Sequence, residues 1–213
     1  MALLSVEEAL QRILDGVEPT PVEMVRIEAV AGRTLAGPLA AHLTQPPFDA
    51  SAMDGYAVRR ADVANLPATL TLIGEAAAGH PFAGTIGPGQ TVRIFTGAPL
   101  PSGADAIVIQ ENAAREGARI TVRDGTPERG HIRDRGCDFR AGDVLLEAGR
   151  RLGPRAVSLA AAMGQGDLAV RRRPVVAILA TGDELVAPGS ELGPGQIIAS
   201  NHLGVAALAE AHG

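Results

Sequence analysis

The chain contains no lysine, no tryptophan and a single cysteine among 213 residues, and only 2% of it is aromatic. All 19 basic residues are therefore arginines. That excludes a Walker A lysine, a Schiff-base lysine and a pyridoxal phosphate site together. Anions must be met by guanidinium groups or backbone N–H groups. Cys137 has no partner for an internal disulfide and cannot build a zinc knuckle. The five histidines are scattered, with no His-Glu-x-x-His run. No apolar stretch reaches membrane-spanning length. The opening MALLSVEEAL is acidic where a signal peptide would be basic. With a formal charge of −5, general attraction to nucleic acid or an anionic membrane is not expected. These absences read as a soluble, cytoplasmic protein.

What is present is apolar and turn-rich. The chain is 46% hydrophobic, so its core must be alanine, valine, leucine and isoleucine. The 26 glycines and 15 prolines predict short elements rather than a helix bundle. SVEEALQRILDG is predicted to be a helix, with Ser5 and Glu8 as a capping box and Val6, Ala9, Leu10, Ile13 and Leu14 on one face. EMVRIEAVAGRTLA reads as a short strand running into a short helix that includes Glu28, Arg33 and Leu35. From about Thr44, short apolar runs (ATLTLIGE, QTVRIF, ADAIVIQE, ARITVR, GDVLLEAG) alternate with turns and predict a β-rich domain to about residue 140. GPRAVSLAAAMG returns to helix with Pro154 near its start, and DLAVRRR is a strand or connector. PVVAILA, beginning at Pro174, has the continuous apolar character of a strand buried on both faces, and NHLGVAALAEAHG reads as a helix capped by Ser200 or Asn201. Only 40 residues follow Arg173, too few for a closed α/β sheet, so the chain reads as cut short. GPGQ occurs at 87–90 and 193–196, which is a shared turn and not a domain repeat. The Gly164 to Ala169 segment matches the spacing of a dinucleotide fingerprint, but it follows a helix and reads as a helix stop.

Four polar loops could carry chemistry. PFDASAMDGYAV holds Asp49, Ser51 and Asp54; taken alone, its Asp54-Gly55 step is a favoured hairpin turn. FTGAPLPSGADAIVIQE places Thr96 and Gly97 at a strand end, where a hydroxyl and free N–H groups suit an oxyanion as well as a rigid turn. GHIRDRGCDFRAGD alternates Arg133, Arg135 and Arg140 with Asp134 and Asp138, which fits a tetrahedral oxyanion but by itself reads first as a solvated, mutually paired face. ILATGDELVAPG sets Thr181, Asp183 and Glu184 just past the expected buried strand, where α/β sheets place ligands and where acids hold Mg²⁺ against phosphate.

In this order, FDASAMDGYAVRRAD, RIFTGAPLPSGADAIVIQE, IRDRGCDFRAGD and ILATGDELVAPGSELGPGQIIASN resemble the molybdopterin molybdenumtransferases, the bacterial MoeA-type proteins and the E domain of gephyrin. The resemblance runs from Ser5 to Gly213. It implies a multi-domain α+β fold. A discontinuous helical, dimer-forming domain (1–43 and 141–172) would carry an inserted β-rich domain (44–140), followed by the first strand and helix of an incomplete pterin-binding α/β domain (173–213). It implies molybdenum cofactor biosynthesis: molybdate and adenylylated molybdopterin as substrates, Mg²⁺ as cofactor, insertion of molybdenum and release of AMP. It implies Asp54, Thr96 and Glu184 as catalytic residues, with Asp54 and Glu184 as metal ligands. Arg133, Asp138, Thr181, Gly182, Asp183 and Ser51 are implied in substrate binding. Asp134 and Cys137 depart from the family pattern, where Arg and Glu are frequent. It also implies a homodimer, with a molybdopterin-adenylylating protein or other cofactor-biosynthesis proteins as partners. The family's later Gly-rich serine loop, further aspartates and paired lysines are not in these residues, so the chain by itself is expected to be inactive or impaired. The alternative from another class is a non-catalytic dimeric scaffold; a plain anion-binding protein using the arginine loop is the weakest reading.

Overall fold

The computed structural model describes residues 4–125 and 131–212. Gly130, the first residue of the arginine loop quoted above, lies outside them. In chain order the elements are α1 (Val6–Leu14), β1 (Val22–Arg26), β2 (Leu39–Ala40), β3 (Ala50–Ser51), β4 (Gly55–Val58), β5 (Ala68–Ala76), β6 (Gln90–Ile94), β7 (Ala106–Ile109), β8 (Ala113–Glu116), β9 (Arg119–Val122), β10 (Ile132–Arg133), β11 (Val144–Leu146), α2 (Pro154–Ala162), β12 (Asp167–Arg171), β13 (Leu185–Val186), β14 (Ile197–Ile198) and α3 (Asn201–His212). This is a mixed α/β protein. The chain divides into two compact units: residues 1–39, 145–161 and 165–213 form one, and residues 40–144 with 162–164 form the other.

The first unit is not purely helical. β1 and β12 pair antiparallel from Val22↔Arg171 to Arg26↔Asp167. Their inward residues join α2 in a core of Val30, Leu35, Leu146, Leu152, Ala156, Ala160, Leu168 and Val170. α1 starts as expected, with Ser5 Oγ accepting the Glu8 N–H at 3.1 Å, and the positive φ of Gly16 (79°) follows its end. Only half of the capping box forms, because the Glu8 carboxylate pairs with Arg12 at 2.7 Å. The apolar face of α1 is exposed: Val6 is 80% and Ile13 71% accessible.

Two expectations in this unit fail. The helix after β1 is only a 3₁₀ turn, Ile27–Ala29, so Glu28 is helical but Arg33 and Leu35 are not. Gly32 has φ 77°, and beyond it the chain runs extended, with Thr34 bridging Arg151 and Leu35 bridging Val170. Pairing to β12 outweighs local helix propensity there. The second failure is PVVAILA. Residues 174–180 form no strand. Val175 is 99% and Leu179 86% exposed. A strand buried on both faces needs a paired neighbour and covering helices. Among the described residues the parallel pairing in this region is only Leu185↔Ile197 and Val186↔Ile198.

The second unit is the β-rich one. Its six-stranded sheet has the order β7-β4-β6-β5-β9-β8, antiparallel except for β5 beside β6. Alternation is clear in the packing. Tyr56, Val58, Val108, Leu70, Ile120 and Val122 enter one cluster, while Ala57, Val92, Ile94 and Ile107 enter another. Both faces of the sheet are thus covered, which rigidifies the strand ends that carry the polar loops. The two GPGQ turns repeat one hydrogen bond: the Gln Oε1 accepts the first Gly N–H at 2.9 Å in each.

Candidate functional site

The Asp54-Gly55 step is not a hairpin turn. Gly55 opens β4 and is buried between Ile94 of β6 and Ile109 of β7. An added Cβ would lie 2.1 Å from the Val108 carbonyl oxygen, so glycine is required by a neighbouring strand rather than by a turn. The register Gly55↔Ile94 puts Asp54 at the exit of β6, where Phe95 and Thr96 follow. Asp54 Oδ1 there accepts two hydrogen bonds, from the Thr96 N–H and from Thr96 Oγ1, each at 2.8 Å. The donors that sequence reasoning offered to an external oxyanion already hold a carboxylate. Among the described residues, Oδ2 has no protein donor.

These contacts keep Asp54 ionised. Its carboxyl is held below the ordinary aspartate range, first by the Thr96 backbone N–H, then by the Thr96 hydroxyl, with desolvation opposing and the Arg93 charge adding a smaller lowering. The linkage has a definite sign. A carboxyl with a lowered folded pKa contributes stability above its unfolded pKa, and that contribution disappears as pH falls through the folded value. Thr96→Val removes the hydroxyl donor and keeps the backbone one. The Asp54 carboxyl is expected to titrate at higher pH in that variant, read by ¹³C NMR; an unchanged titration would show that the hydroxyl bond has no weight.

Backbone bonds lock three loops around this pair. Ser51 N–H donates to Ala98 O, and Gly97 N–H donates to Ser51 O, at 2.9 and 2.8 Å. Gly97 has φ 83°, which allows that return. β3 and β10 pair with Ile132 opposite Ser51 and Arg133 opposite Ala50. Asp49 Oδ1 accepts the Arg135 N–H at 2.8 Å. Ser51 is 1% exposed and its hydroxyl donates to Met53 O at 2.6 Å, so it shapes the loop from within. The result is a cavity of about 360 Å³ whose wall includes Pro46, Phe48, Ser51, Thr96, Gly97 and Arg133. Three sequence motifs thus share one cavity.

Arg133 Nη2 bonds both carboxylate oxygens of Asp138 at 2.8 Å, and both side chains are about half exposed (52% and 43%). The pair is the mutually satisfied one that the loop suggested in isolation. It still presents a guanidinium to the cavity. Arg135 is exposed, and the Arg140 N–H is held by Asp143 at 2.8 Å.

Thr181, Gly182, Asp183 and Glu184 belong to the other unit. They do not follow a buried strand, as expected, but an extended, exposed segment. Glu184 is exposed, and its carbonyl accepts the Ile197 N–H at 2.8 Å. Gly182 has φ 150° and lies beside the Glu184 carboxylate. Thr181 lines a separate cavity of about 440 Å³ with Ser200, Asn201 and His202. No group of three or more His, Cys, Asp or Glu side chains suited to a metal gathers among the described residues.

Sequence reading missed Arg93. Its guanidinium sits between the rings of Tyr56 and Phe95, 5.1 and 5.0 Å from their centroids, and Nη2 donates to Gln110 Oε1 at 2.6 Å. The alternation in QTVRIF puts Arg93 and Phe95 on one face, which was the available signal.

Fold and cavity together define a mixed α/β protein whose β-rich unit sets Thr96, the clamp on an ionised Asp54, and an arginine loop around one small-molecule-sized cavity. Residues 4–164 match the family profile of the MoeA N-terminal region (domain I and II), and the chain belongs to that family. It is 42% identical over 205 residues to a molybdopterin molybdenumtransferase of Nostoc sp., covering 94% of this chain and 46% of the relative. The corresponding protein of Haemophilus influenzae is 37% identical, with 98% and 52% covered. A crystal structure of the molybdopterin biosynthesis moeA protein from Pyrococcus horikoshii superposes with a TM-score of 0.88 at 33% identity, covering 98% of this chain and 57% of that one. The chain spans about half the length of the curated relatives it matches. Among the described residues, no helix is long and apolar enough to cross a membrane.

Proposed function

We propose that these residues are the N-terminal part of an enzyme of molybdenum cofactor biosynthesis that inserts molybdate into adenylylated molybdopterin and releases AMP. The observation that carries the reading is the Asp54–Thr96 clamp, whose Thr96 lines a cavity together with Arg133. Asp54 is ionised and, among the described residues, keeps one oxygen without a protein donor. That suits a Mg²⁺ ion, which is usually held by one or two carboxylates together with substrate phosphates. Asp54 would give it a carboxylate oxygen, and when bound it would neutralise charge on the phosphate oxygens; Glu184 is proposed as a second acid of the reaction. Thr96 fixes the Asp54 carboxylate. Arg133, kept in place by Asp138, receives an anionic substrate group through its remaining N–H donors. Thr181, Gly182 and Asp183 contribute a second substrate-facing loop, while Ser51 keeps the Asp54 loop closed. The working protein is a cytoplasmic homodimer supplied by a molybdopterin-adenylylating partner.

The exposed face of α1 favours a second reading, a non-catalytic dimeric scaffold. The two separate in one assay: AMP release from adenylylated molybdopterin by the purified 213 residues with Mg²⁺, with and without molybdate. These residues alone are expected to release AMP slowly or not at all, since the relatives are about twice as long. Any molybdate-dependent release should be lost in Asp54→Asn and in Glu184→Gln. Release at the rate of a full-length relative would overturn the expectation of impairment. A stable dimer without Mg²⁺-dependent pterin nucleotide binding would favour the scaffold.

A further inference from the structure

A second cavity lies wholly within the first unit, away from the residues assigned above. Its volume is about 460 Å³, inside the roughly 300–1,000 Å³ range of small-molecule sites. Four arginines line it, Arg33, Arg171, Arg172 and Arg173. No Asp or Glu among the described residues does. In a chain of net charge −5, this is a pronounced local excess of positive charge. Hydrogen bonds tie together the segments that carry these arginines. Arg171 Nη1 donates to Thr20 O at 3.0 Å, and Arg33 Nη2 donates to Arg171 O at 2.8 Å. The Arg172 N–H donates to Pro21 O, and its carbonyl accepts Thr20 Oγ1 at 2.7 Å. Arg173 Nη2 and Arg151 Nη2 both lie within 4.0 Å of one point beside Gly32, where a Cβ would be. That glycine also lines the cavity.

The charges are poorly compensated. Arg33 is paired with Glu23, but its Nε is buried without a partner. Arg171, Arg172 and Arg173 have no carboxylate partner among the described residues. Like charges held this close repel one another, and a bound anion would relieve that repulsion. Guanidinium forks match tetrahedral phosphate oxygens, and several N–H groups remain to donate. Pro19, Pro174, Val176 and Ala209 give the rest of the wall an apolar part, beside Thr20, Thr34 and His212. A bare oxyanion would leave that wall empty.

We propose that this cavity is a binding site for a phosphate monoester with an apolar or planar body, its phosphate on the arginines and its body against the prolines and Val176. The site is independent of the Asp54 cavity, so it stands or falls apart from the function proposed above.

The test is calorimetric titration of the 213-residue chain with phenyl phosphate, inorganic phosphate and phenol at low salt. Phenyl phosphate should bind saturably, inorganic phosphate at least tenfold more weakly, and phenol not at all. The double variant Arg172→Ala/Arg173→Ala should weaken phenyl phosphate at least tenfold. Both side chains are exposed, and the Arg172 backbone bonds survive the change. Arg119→Ala, an exposed arginine of the other unit, should leave binding unchanged. The proposal is overturned if phenyl phosphate does not bind, if the folded double variant binds it normally, or if Arg119→Ala weakens binding as much as the double variant does. Inorganic phosphate binding as tightly as phenyl phosphate would overturn the role of the apolar wall.

Discussion

Gly55→Ala is expected to cost about 3 kcal/mol of folding stability, the upper part of the usual range for overpacking a tight site. The added methyl carbon would lie 2.1 Å from Val108 O, 3.0 Å from the Val108 carbonyl carbon and 3.1 Å from Ile109 Cα. All three are backbone atoms, so no rotamer change relieves the clash and β7 must move away from β4. Moving β7 also disturbs the bond from the Gln110 N–H to Asp54 O, which continues the β4–β7 ladder into the site. Asp54 should therefore titrate closer to an ordinary aspartate in whatever fraction still folds. Urea denaturation measures the cost, with Gly37→Ala as the control. Gly37 has open space where a Cβ would go, and its change should stay within about 0.5 kcal/mol. Equal effects at the two positions would mean that the close approach to β7 is not what requires glycine.

Leu168→Ala is expected to destabilise the first unit by about 2–5 kcal/mol, as for other fully buried leucines. Leu168 is 0% exposed and sits on β12 against Leu35, Leu152, Ala156 and Ala160. Those partners come from two separated segments, around residue 35 and 152–160, so the leucine joins pieces of chain that local sequence would leave apart. The lost methylenes leave a cavity bounded by α2 and β1, neither of which is free to collapse. Val175→Ala supplies the contrast. Its side chain is 99% exposed, and its removal should stay within about 0.5 kcal/mol. Both variants are read by urea denaturation. A cost below about 1 kcal/mol for Leu168→Ala would show that this core is not the unit's main support.

The comparison of sequence with structure separates local from non-local information. The apolar runs ATLTLIGE, QTVRIF and ADAIVIQE, set between turns, are enough to locate β5, β6 and β7, because both signals are properties of each segment. Ser5, Gly16 and Pro154 marked helix ends for the same local reason. Failures arose wherever the cause lay in another segment. Gly55 reads as a turn until Val108 is placed beside it. PVVAILA reads as a buried strand because an apolar run carries no information about its neighbours, and among the described residues it pairs with none. The Asp54–Thr96 clamp joins residues 42 apart, and only the β4–β6 register makes them meet. Arg93 was overlooked because its function in the structure, a cation between two rings, depends on that same register.

The most direct test of the central claim uses a chimera. Residues 4–164 of this chain would replace the matching part of the Nostoc molybdopterin molybdenumtransferase, and molybdate-dependent AMP release would be measured with and without Asp54→Asn. The account predicts turnover in the chimera and a fall of about a hundredfold or more when Asp54 is changed. A folded, active chimera whose rate is indifferent to Asp54→Asn would contradict it.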